Sequence, residues 1–204
     1  TAWTWLHKLR CAMVRTDREK LTGDIEVDET FIGGKEFGEK EDGTGKTGRG
    51  STEKIIVVVA TECIGKQIGR VRFKCIESAS SENLLNFIEE NIEKGSNVIT
   101  DGWSGYAPLS DSVNYTHIKK PILGSGKQAH ELLPHVHMVD SLLKRWINGT
   151  HQGNISKKHL SFYLDEFAFR FNRKLSTHRG KLFYRLINQA ITTKPKPRKL
   201  LIKR

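Results

Sequence analysis

Several features that mark other classes of protein are scarce in this chain. Its 204 residues include three cysteines, Cys11, Cys63 and Cys75, too few and too scattered for a disulfide framework or a cysteine-based zinc site. No apolar run approaches the roughly 20 residues that cross a membrane, and no secretion signal is visible. We therefore expect reduced thiols, no membrane partner and a cytoplasmic location.

Acidic residues are also scarce in the second half of the chain. From Ser112 onward there are 4 Asp/Glu against 19 Lys/Arg, whereas the preceding residues contain 19 Asp/Glu and 15 Lys/Arg. The net charge of +11 and its uneven distribution favour a polyanionic partner, although a solvated basic face gives the same pattern. We assign the following basic residues, as a group, to the surface that would face such a partner, which the resemblance described below implies to be DNA: Lys144, Arg145, Lys157, Lys158, Arg170, Arg173, Lys174 and Arg179.

The hydrophobic pattern predicts an α/β protein. Strands are expected at 24–32, 54–62, 69–77, 97–100 and about 114–119, and helices at 1–20, 80–95, from about 132 onward and at about 181–191. The glycine-rich residues 33–50 are predicted to form a mobile loop. Three consecutive strands favour an antiparallel meander, which parallel strands extend through a helical crossover. The expected fold is a ribonuclease-H-like mixed five-stranded sheet with flanking helices and a helical C-terminal part.

Two aspartates at strand ends are candidate metal ligands. Asp28 ends the apolar run of GDIEVDETFIGG and Asp101 that of NVITDGWSGY, and turn-forming glycine follows each. Carboxylates at the ends of buried strands lie in the crevice where α/β proteins bind ligands, and a pair of them can hold the metal ions of a phosphoryl-transfer enzyme. Each aspartate alone is more simply a cap or turn residue. The pair, in a basic chain, favours the metal interpretation.

A third ligand is expected from the helix that follows the sheet. His137, Asp140 and Lys144 lie along one helical face, and Glu131 lies just upstream. Imidazole is a better ligand for Mn²⁺ than for Mg²⁺, so chemistry alone favours Asp140. A polar helix residue at His137 and a solvated lysine at Lys144 remain equally good interpretations at this point.

Four segments together resemble a known family. IEVDETFIGGK, TDGWSGYAPL, HVHMVDSLLKRWINGTHQG and HLSFYLDEFAFRFNRK, in this order, are similar to the catalytic domain of bacterial insertion-sequence transposases of the ISXO type, which are related to Merlin transposons. The resemblance implies a DDE-type enzyme in which Asp28 and Asp101 bind metal. Seven residues before Lys144, where the family usually has glutamate, this chain has His137. The third ligand is therefore expected to be His137, with Asp140 as the alternative, and Lys144 is expected to be catalytic.

The resemblance also implies cofactors, partners and domain limits. It implies two divalent ions, Mg²⁺ or Mn²⁺, double-stranded DNA as transposon ends and target, and a homo-oligomer on DNA at the bacterial nucleoid. The catalytic domain is expected at 21–192, preceded at 1–20 by a helical remnant of an N-terminal region and followed at 193–204 by a basic tail. A related nuclease, or a DNA-binding protein with a decayed site, is the alternative.

Overall fold

A mixed five-stranded sheet forms the centre of the molecule. The computed structural model describes residues 1–15, 17–33, 54–122, 124–151, 155–178 and 180–202. The strands are β1 Asp24–Ile32, β2 Ile55–Ile64, β3 Gln67–Ile76, β4 Asn97–Thr100 and β5 Thr116–Lys119. Their order is β3-β2-β1-β4-β5, with β1 to β3 antiparallel and β4 and β5 parallel to β1. The predicted ribonuclease-H-like fold is confirmed.

Helices cover both faces of the sheet. They are α1 Ala2–Ala12, α2 Ser81–Asn91, a 3-10 helix Ser104–Asp111, α3 Ala129–Leu132, α4 Pro134–His151, α5 Leu160–Phe171, α6 Lys181–Thr192 and α7 Arg198–Ile202. None of these described helices is long and apolar enough to cross a membrane. The loop prediction for 33–50 falls, beyond Gly33, outside the described residues.

Two helices end earlier than their sequences predict, and a backbone contact explains the end of the second. The first helix ends at Ala12, not near residue 20, and α2 ends at Asn91, not at Gly95. Leu21 forms a parallel bridge with Ile92, in which the Leu21 amide donates to the Asn91 carbonyl at 2.8 Å. This pairing requires extended backbone at Ile92, so α2 cannot continue beyond Asn91.

Both faces of the sheet are packed against helices, because the side chains of β1 point alternately to one face and to the other. Ile25 and Val27 are fully buried beneath α2 and the 3-10 helix. Ile32 faces the other side, where it joins a second core formed by β2, α4 and α5. Phe167 of α5 is also buried in this second core. Asp28 and Thr30 share the α4 face with Ile32, since residues two apart in a strand point the same way.

Part of the C-terminal segment predicted as a basic tail is helical. Arg198–Ile202 form α7, and Leu201 is buried in a small cluster with Cys11 and Phe162. The apolar side chain of Leu201 fills the space left between α1 and α5, which explains why this otherwise basic segment is ordered. The N-terminal helix is anchored to the same region by a buried 2.8 Å ion pair between Arg10 and Glu166.

Candidate active site

The pairing of β1 with β4 places the two predicted aspartates opposite each other. Strands β1 and β4 pair so that Asp24 lies opposite Asn97 and Glu26 lies opposite Ile99. The two members of each pair differ by 73 in residue number. The same offset places Asp28 opposite Asp101, which directly follows β4. Because the two strands are parallel neighbours, both carboxylates lie on the same side of the molecule, at one end of the β1–β4 pair.

The turn after β4 holds Asp101 in place. Its Oδ1 atom accepts a hydrogen bond from the backbone amide of Trp103 at 2.9 Å. Gly102 between them has a φ of 83°, a left-handed conformation that suits glycine, and a Cβ atom there would lie 3.4 Å from Pro121. The turn thus explains why one oxygen of Asp101 accepts a backbone hydrogen bond and why glycine follows Asp101.

Helix α4 packs against the row of polar residues on β1. Glu26, at one end of the row, accepts a 2.8 Å hydrogen bond from the Val136 amide near the start of α4. Thr30, at the other end, donates its hydroxyl to Oδ1 of Asp140 at 2.5 Å. Asp28 lies between them, facing the middle of the first two turns of α4. These two contacts fix the helix relative to the strand on either side of Asp28.

His137 faces Asp28 directly. The Nε2 atom of His137 lies 3.5 Å from Oδ2 of Asp28, too far for a good hydrogen bond. That nitrogen is buried, and no residue in the described part of the chain forms a hydrogen bond with it. Burial lowers the pKa of His137, so the neutral ring is favoured and can offer a lone pair. An imidazole nitrogen beside a carboxylate, without a partner, is an arrangement suited to a cation.

Asp140 is already engaged by two neighbours. Besides the Thr30 hydroxyl on Oδ1, the Nζ atom of Lys144 donates to Oδ2 at 2.8 Å. Lys144 is thereby held at the edge of a cleft of about 190 Å³ that Asp28 and His137 also line. Glu131 is exposed, and its carboxylate accepts from the Gln128 amide at 2.7 Å at the start of α3. Among the expected third ligands, the free donor atom therefore belongs to His137.

Negative charge accumulates around Asp28. Burial raises the pKa of Asp28 to about 7, and the charges of Glu29, Asp101 and Asp140 add to this effect. A carboxyl group in such surroundings is destabilised in its ionised form unless a cation compensates it. The donor set of two carboxylates and one imidazole nitrogen suits a divalent ion such as Mn²⁺ and, less well, Mg²⁺. Asp28, Asp101 and His137 thus fit the metal ions expected from the sequence.

The predicted DNA-facing residues have different surroundings. Arg145, Lys157 and Lys158 are exposed, whereas Arg179 lies outside the described residues. Arg170 is exposed but pairs with Glu166 at 2.8 Å.

Arg173 and Lys174 contact the protein itself. The Arg173 guanidinium lies 3.9 Å from the centre of the Phe169 ring and donates to the Phe169 carbonyl at 2.9 Å. Lys174 donates to the carbonyls of Ile68 and Gly69 at 2.7 and 3.0 Å, and burial lowers its pKa. The assignment of these two residues to a DNA-facing surface remains a prediction, and their contacts stabilise the fold.

Sequence reasoning missed the residues that position the site. Glu26 and Thr30 hold α4 on β1, and neither is among the candidates from the sequence. A signal was present, because Glu26, Asp28 and Thr30 alternate in DIEVDET and must share one face of a strand. The pairing of that face with α4 depends on packing across more than 100 residues, which no local pattern encodes.

Comparisons with known proteins agree with this picture to different degrees. The family model described as "ISXO2-like transposase domain" matches residues 20–172. Comparison with curated protein sequences found no match.

Among solved structures, the catalytic core domain of BIV integrase is similar with a TM-score of 0.43 and 14% identity, covering 84% of this chain and 97% of that one. A pre-cleavage Mos1 transpososome is similar with a TM-score of 0.36 and 12% identity, covering 94% of this chain and 63% of that one. Both likenesses are distant. The family model matches well over half of the chain, and the chain therefore belongs to the ISXO2-like transposase domain family.

Proposed function

We propose that this chain is the catalytic domain of a DDE-type transposase, which cleaves DNA at transposon ends and joins the freed ends to target DNA with the help of two divalent ions, Mg²⁺ or Mn²⁺. Membership of the family supports the transposase class. The single observation that carries the chemistry is the juxtaposition of three groups. Asp28 lies opposite Asp101 across β1 and β4, and the buried Nε2 atom of His137, which has no hydrogen-bond partner among the described residues, lies 3.5 Å from Asp28.

The roles of the residues follow from their surroundings. Asp28, Asp101 and His137 would hold the ions, since together they offer two carboxylates and a neutral imidazole nitrogen. Divalent ions bound there supply a Lewis acid that activates water or a 3′-hydroxyl and stabilises the leaving oxygen. Asp140 keeps Lys144 at the edge of the cleft, where its ammonium group can move from Asp140 to a DNA phosphate. The neighbouring exposed Arg145 adds to the positive charge outside the cleft.

The positive net charge of the chain, and its uneven distribution, are the reasons for proposing DNA as the partner. The net charge of +11 is concentrated in the half of the chain that contains α4 and α5, next to an acidic cleft suited to metal. Positive residues outside the cleft attract the phosphate backbone, and Asp28, Asp101 and His137 would hold the ions that compensate the charge of the scissile phosphate. Transposition joins two ends, so we propose that the chain works as a homo-oligomer on DNA.

The decisive experiment uses a DNA substrate that carries the sequences flanking the gene for this chain. The chain, with any flanking part of its natural polypeptide, is incubated with this DNA, a target plasmid and Mn²⁺, and the products are sequenced for new junctions. We expect junctions with the parent protein and none with Asp28→Asn or Asp101→Asn, which should still bind DNA. Asp111→Asn, at an exposed aspartate of the 3-10 helix, serves as the matched control and should remain active.

Each outcome has a definite meaning. Cut ends without junctions would replace the proposal by a metal-dependent nuclease at the same site. Junctions formed by Asp28→Asn or Asp101→Asn would refute the assignment of the metal ligands.

A further inference from the structure

A second cluster of metal-binding side chains lies beside the candidate active site. Glu26 on β1, Cys63 on β2 and His135 on α4 each offer a donor atom, and these three atoms lie within 4.8 Å of one another. Glu26 and His135 each precede Asp28 and His137 by two residues. The count and spacing of the cysteines predict no zinc site, because two of these three donors are not cysteine and come from distant parts of the chain.

The ring of His135 faces an oxygen atom on each side. Its Nε2 atom lies 3.1 Å from the Gly65 carbonyl oxygen, and its Nδ1 atom lies 2.9 Å from Oε1 of Glu26. A carbonyl oxygen only accepts, so Nε2 carries the proton. In the neutral ring, the lone pair of Nδ1 then faces the lone pairs of a carboxylate. A positive charge must lie between them, either a second proton or a metal ion.

The other oxygen of Glu26 is fixed by the backbone. Its Oε2 atom accepts from the Val136 amide at 2.8 Å, and the carboxylate is almost fully buried. The Oε1 atom is therefore held in a position facing Nδ1 of His135. Hydrogen bonds from the far side of a histidine ring to a carbonyl, and from the backbone to a carboxylate, are the contacts that orient metal ligands in proteins.

We propose that Glu26, Cys63 and His135 bind a divalent ion of the zinc or cobalt type through Oε1, Sγ and Nδ1, with water in the fourth position. A set of one oxygen, one sulfur and one nitrogen suits these ions and not Mg²⁺. Tetrahedral bonds of about 2.0 Å place nitrogen and oxygen ligands roughly 3.3 Å apart, so the pair at 2.9 Å needs little movement. The Sγ atom of Cys63 lies 3.7 Å from the Thr61 carbonyl and within 4.8 Å of the other two donor atoms, so it would have to move closer to bind the same ion.

The thiol of Cys63 does not ionise readily without a bound metal ion. Burial raises its pKa to about 12, and the charge of Glu26 contributes. The thiol keeps its proton unless a cation lies beside it, and binding of the ion releases that proton to solvent. The ion ties β1, the end of β2 and the first turn of α4 together, two residues from His137. This site is independent of the proposed function and needs no DNA for its detection.

The test is a titration of the full chain with Co²⁺ under reducing conditions, followed by absorbance. Thiolate bound to Co²⁺ gives a near-ultraviolet charge-transfer band that carboxylate and imidazole ligands do not give. We expect the band to appear, to saturate at equal molar amounts and to disappear when Zn²⁺ is added. Cys63→Ser should abolish the band, while Cys75→Ser, at a half-buried cysteine on β3, should keep it.

A thermal shift provides the second measurement. Zn²⁺ should raise the melting temperature of the parent chain and of Cys75→Ser but not that of Cys63→Ser, whose circular dichroism shows whether it is folded. Asp28→Asn should lose Mn²⁺ binding yet keep the cobalt band, which separates this site from the candidate active site. The three thiols are shown to be reduced by counting them after unfolding. Absence of the band in the parent chain then overturns the proposal and leaves His135 and Glu26 joined by a hydrogen bond alone. A band that survives in Cys63→Ser also overturns it.

Discussion

At the scale of single residues, the carboxyl group of Asp28 makes stability depend on pH. Its pKa is about 7 in the folded protein, against an ordinary value of 3.8. Between these values the folded state binds a proton that the unfolded state lacks, so the free energy of unfolding falls as pH rises from about 4 to 7. Above pH 7 both states are ionised, and the destabilisation stays at its full value.

Asp28→Asn should therefore stabilise the metal-free protein at pH 8. Because one pKa unit corresponds to about 1.4 kcal/mol, we expect a gain of up to a few kcal/mol at pH 8 that shrinks toward pH 4. Urea unfolding in the presence of a chelator measures it, with Asp111→Asn as the control. If Asp28→Asn were less stable than the parent at pH 8, the carboxylate could not be under the repulsion described here.

His137 offers a second prediction at this scale. His137→Glu should retain metal-dependent activity and respond more strongly to Mg²⁺, because a carboxylate suits that hard ion better than imidazole does. His137→Ala should lose activity, whereas His178→Ala, at an exposed histidine before α6, should keep it. Activity is followed as new DNA junctions over a range of Mg²⁺ and Mn²⁺ concentrations. An active His137→Ala with an inactive His137→Glu would show that His137 is not a ligand.

The candidate site was predictable from the sequence only in part. Asp28 and Asp101 could be named because apolar runs and following glycines are local features. The prediction that both end a strand is right for Asp101, which directly follows β4, and wrong for Asp28, which lies in the middle of β1 because pairing with β2 continues to Ile32. The choice between His137 and Asp140 could not be made, because it depends on which atoms already have partners. Thr30 and Lys144 occupy the oxygens of Asp140, and Thr30 is 110 residues away in the chain. Side-chain competition of this kind appears only in the folded structure.

At the scale of elements, one side chain pairs with the backbone of the edge strand of the sheet. Strand β3 lies at the edge, and Asn172, just after α5, bonds to Val71 as a neighbouring strand would. Its Oδ1 atom accepts from the Val71 amide at 2.7 Å, and its Nδ2 atom donates to the Val71 carbonyl at 3.1 Å. These bonds tie α5 to the sheet and cover backbone groups that would otherwise be unpaired.

Asn172→Ala should destabilise the protein by about 1–3 kcal/mol, since it leaves the buried amide of Val71 without an acceptor. Asn148→Ala, at an exposed position on α4, is the matched control and should change stability little. Denaturant unfolding at neutral pH compares the two. Equal stabilities would mean that water replaces the Asn172 side chain at no cost.

Local patterns predict the elements well and their ends poorly. Strand β1 matches its predicted bounds of 24–32, because alternation and flanking glycines are local signals. The end of α2 depends on the bridge between Leu21 and Ile92, which lie 71 positions apart in the sequence. In the same way, α7 exists because Leu201 is buried against α1 and α5. Contacts between distant segments decide these features.

At the scale of the whole molecule, the basic half of the chain should govern DNA affinity. Lys157 and Lys158 are exposed before α5, so their joint replacement by alanine should weaken binding and reduce the slope of log affinity against log salt by about 2. Thermal stability should be unchanged. Fluorescence anisotropy with a labelled duplex at several KCl concentrations measures the slope, and Lys66→Ala in the exposed turn after β2 is the control. An unchanged slope would place the DNA on another surface.

The most direct test of the proposed metal centre is calorimetric titration of Mn²⁺, without DNA, into the Cys63→Ser chain, in which the second site cannot form. The account predicts binding that is lost in Asp101→Asn and in His137→Ala and retained in Asp111→Asn. Binding of Mn²⁺ that survives both of the first two changes, or no binding to the starting chain, would contradict the assignment of Asp28, Asp101 and His137 as the metal ligands.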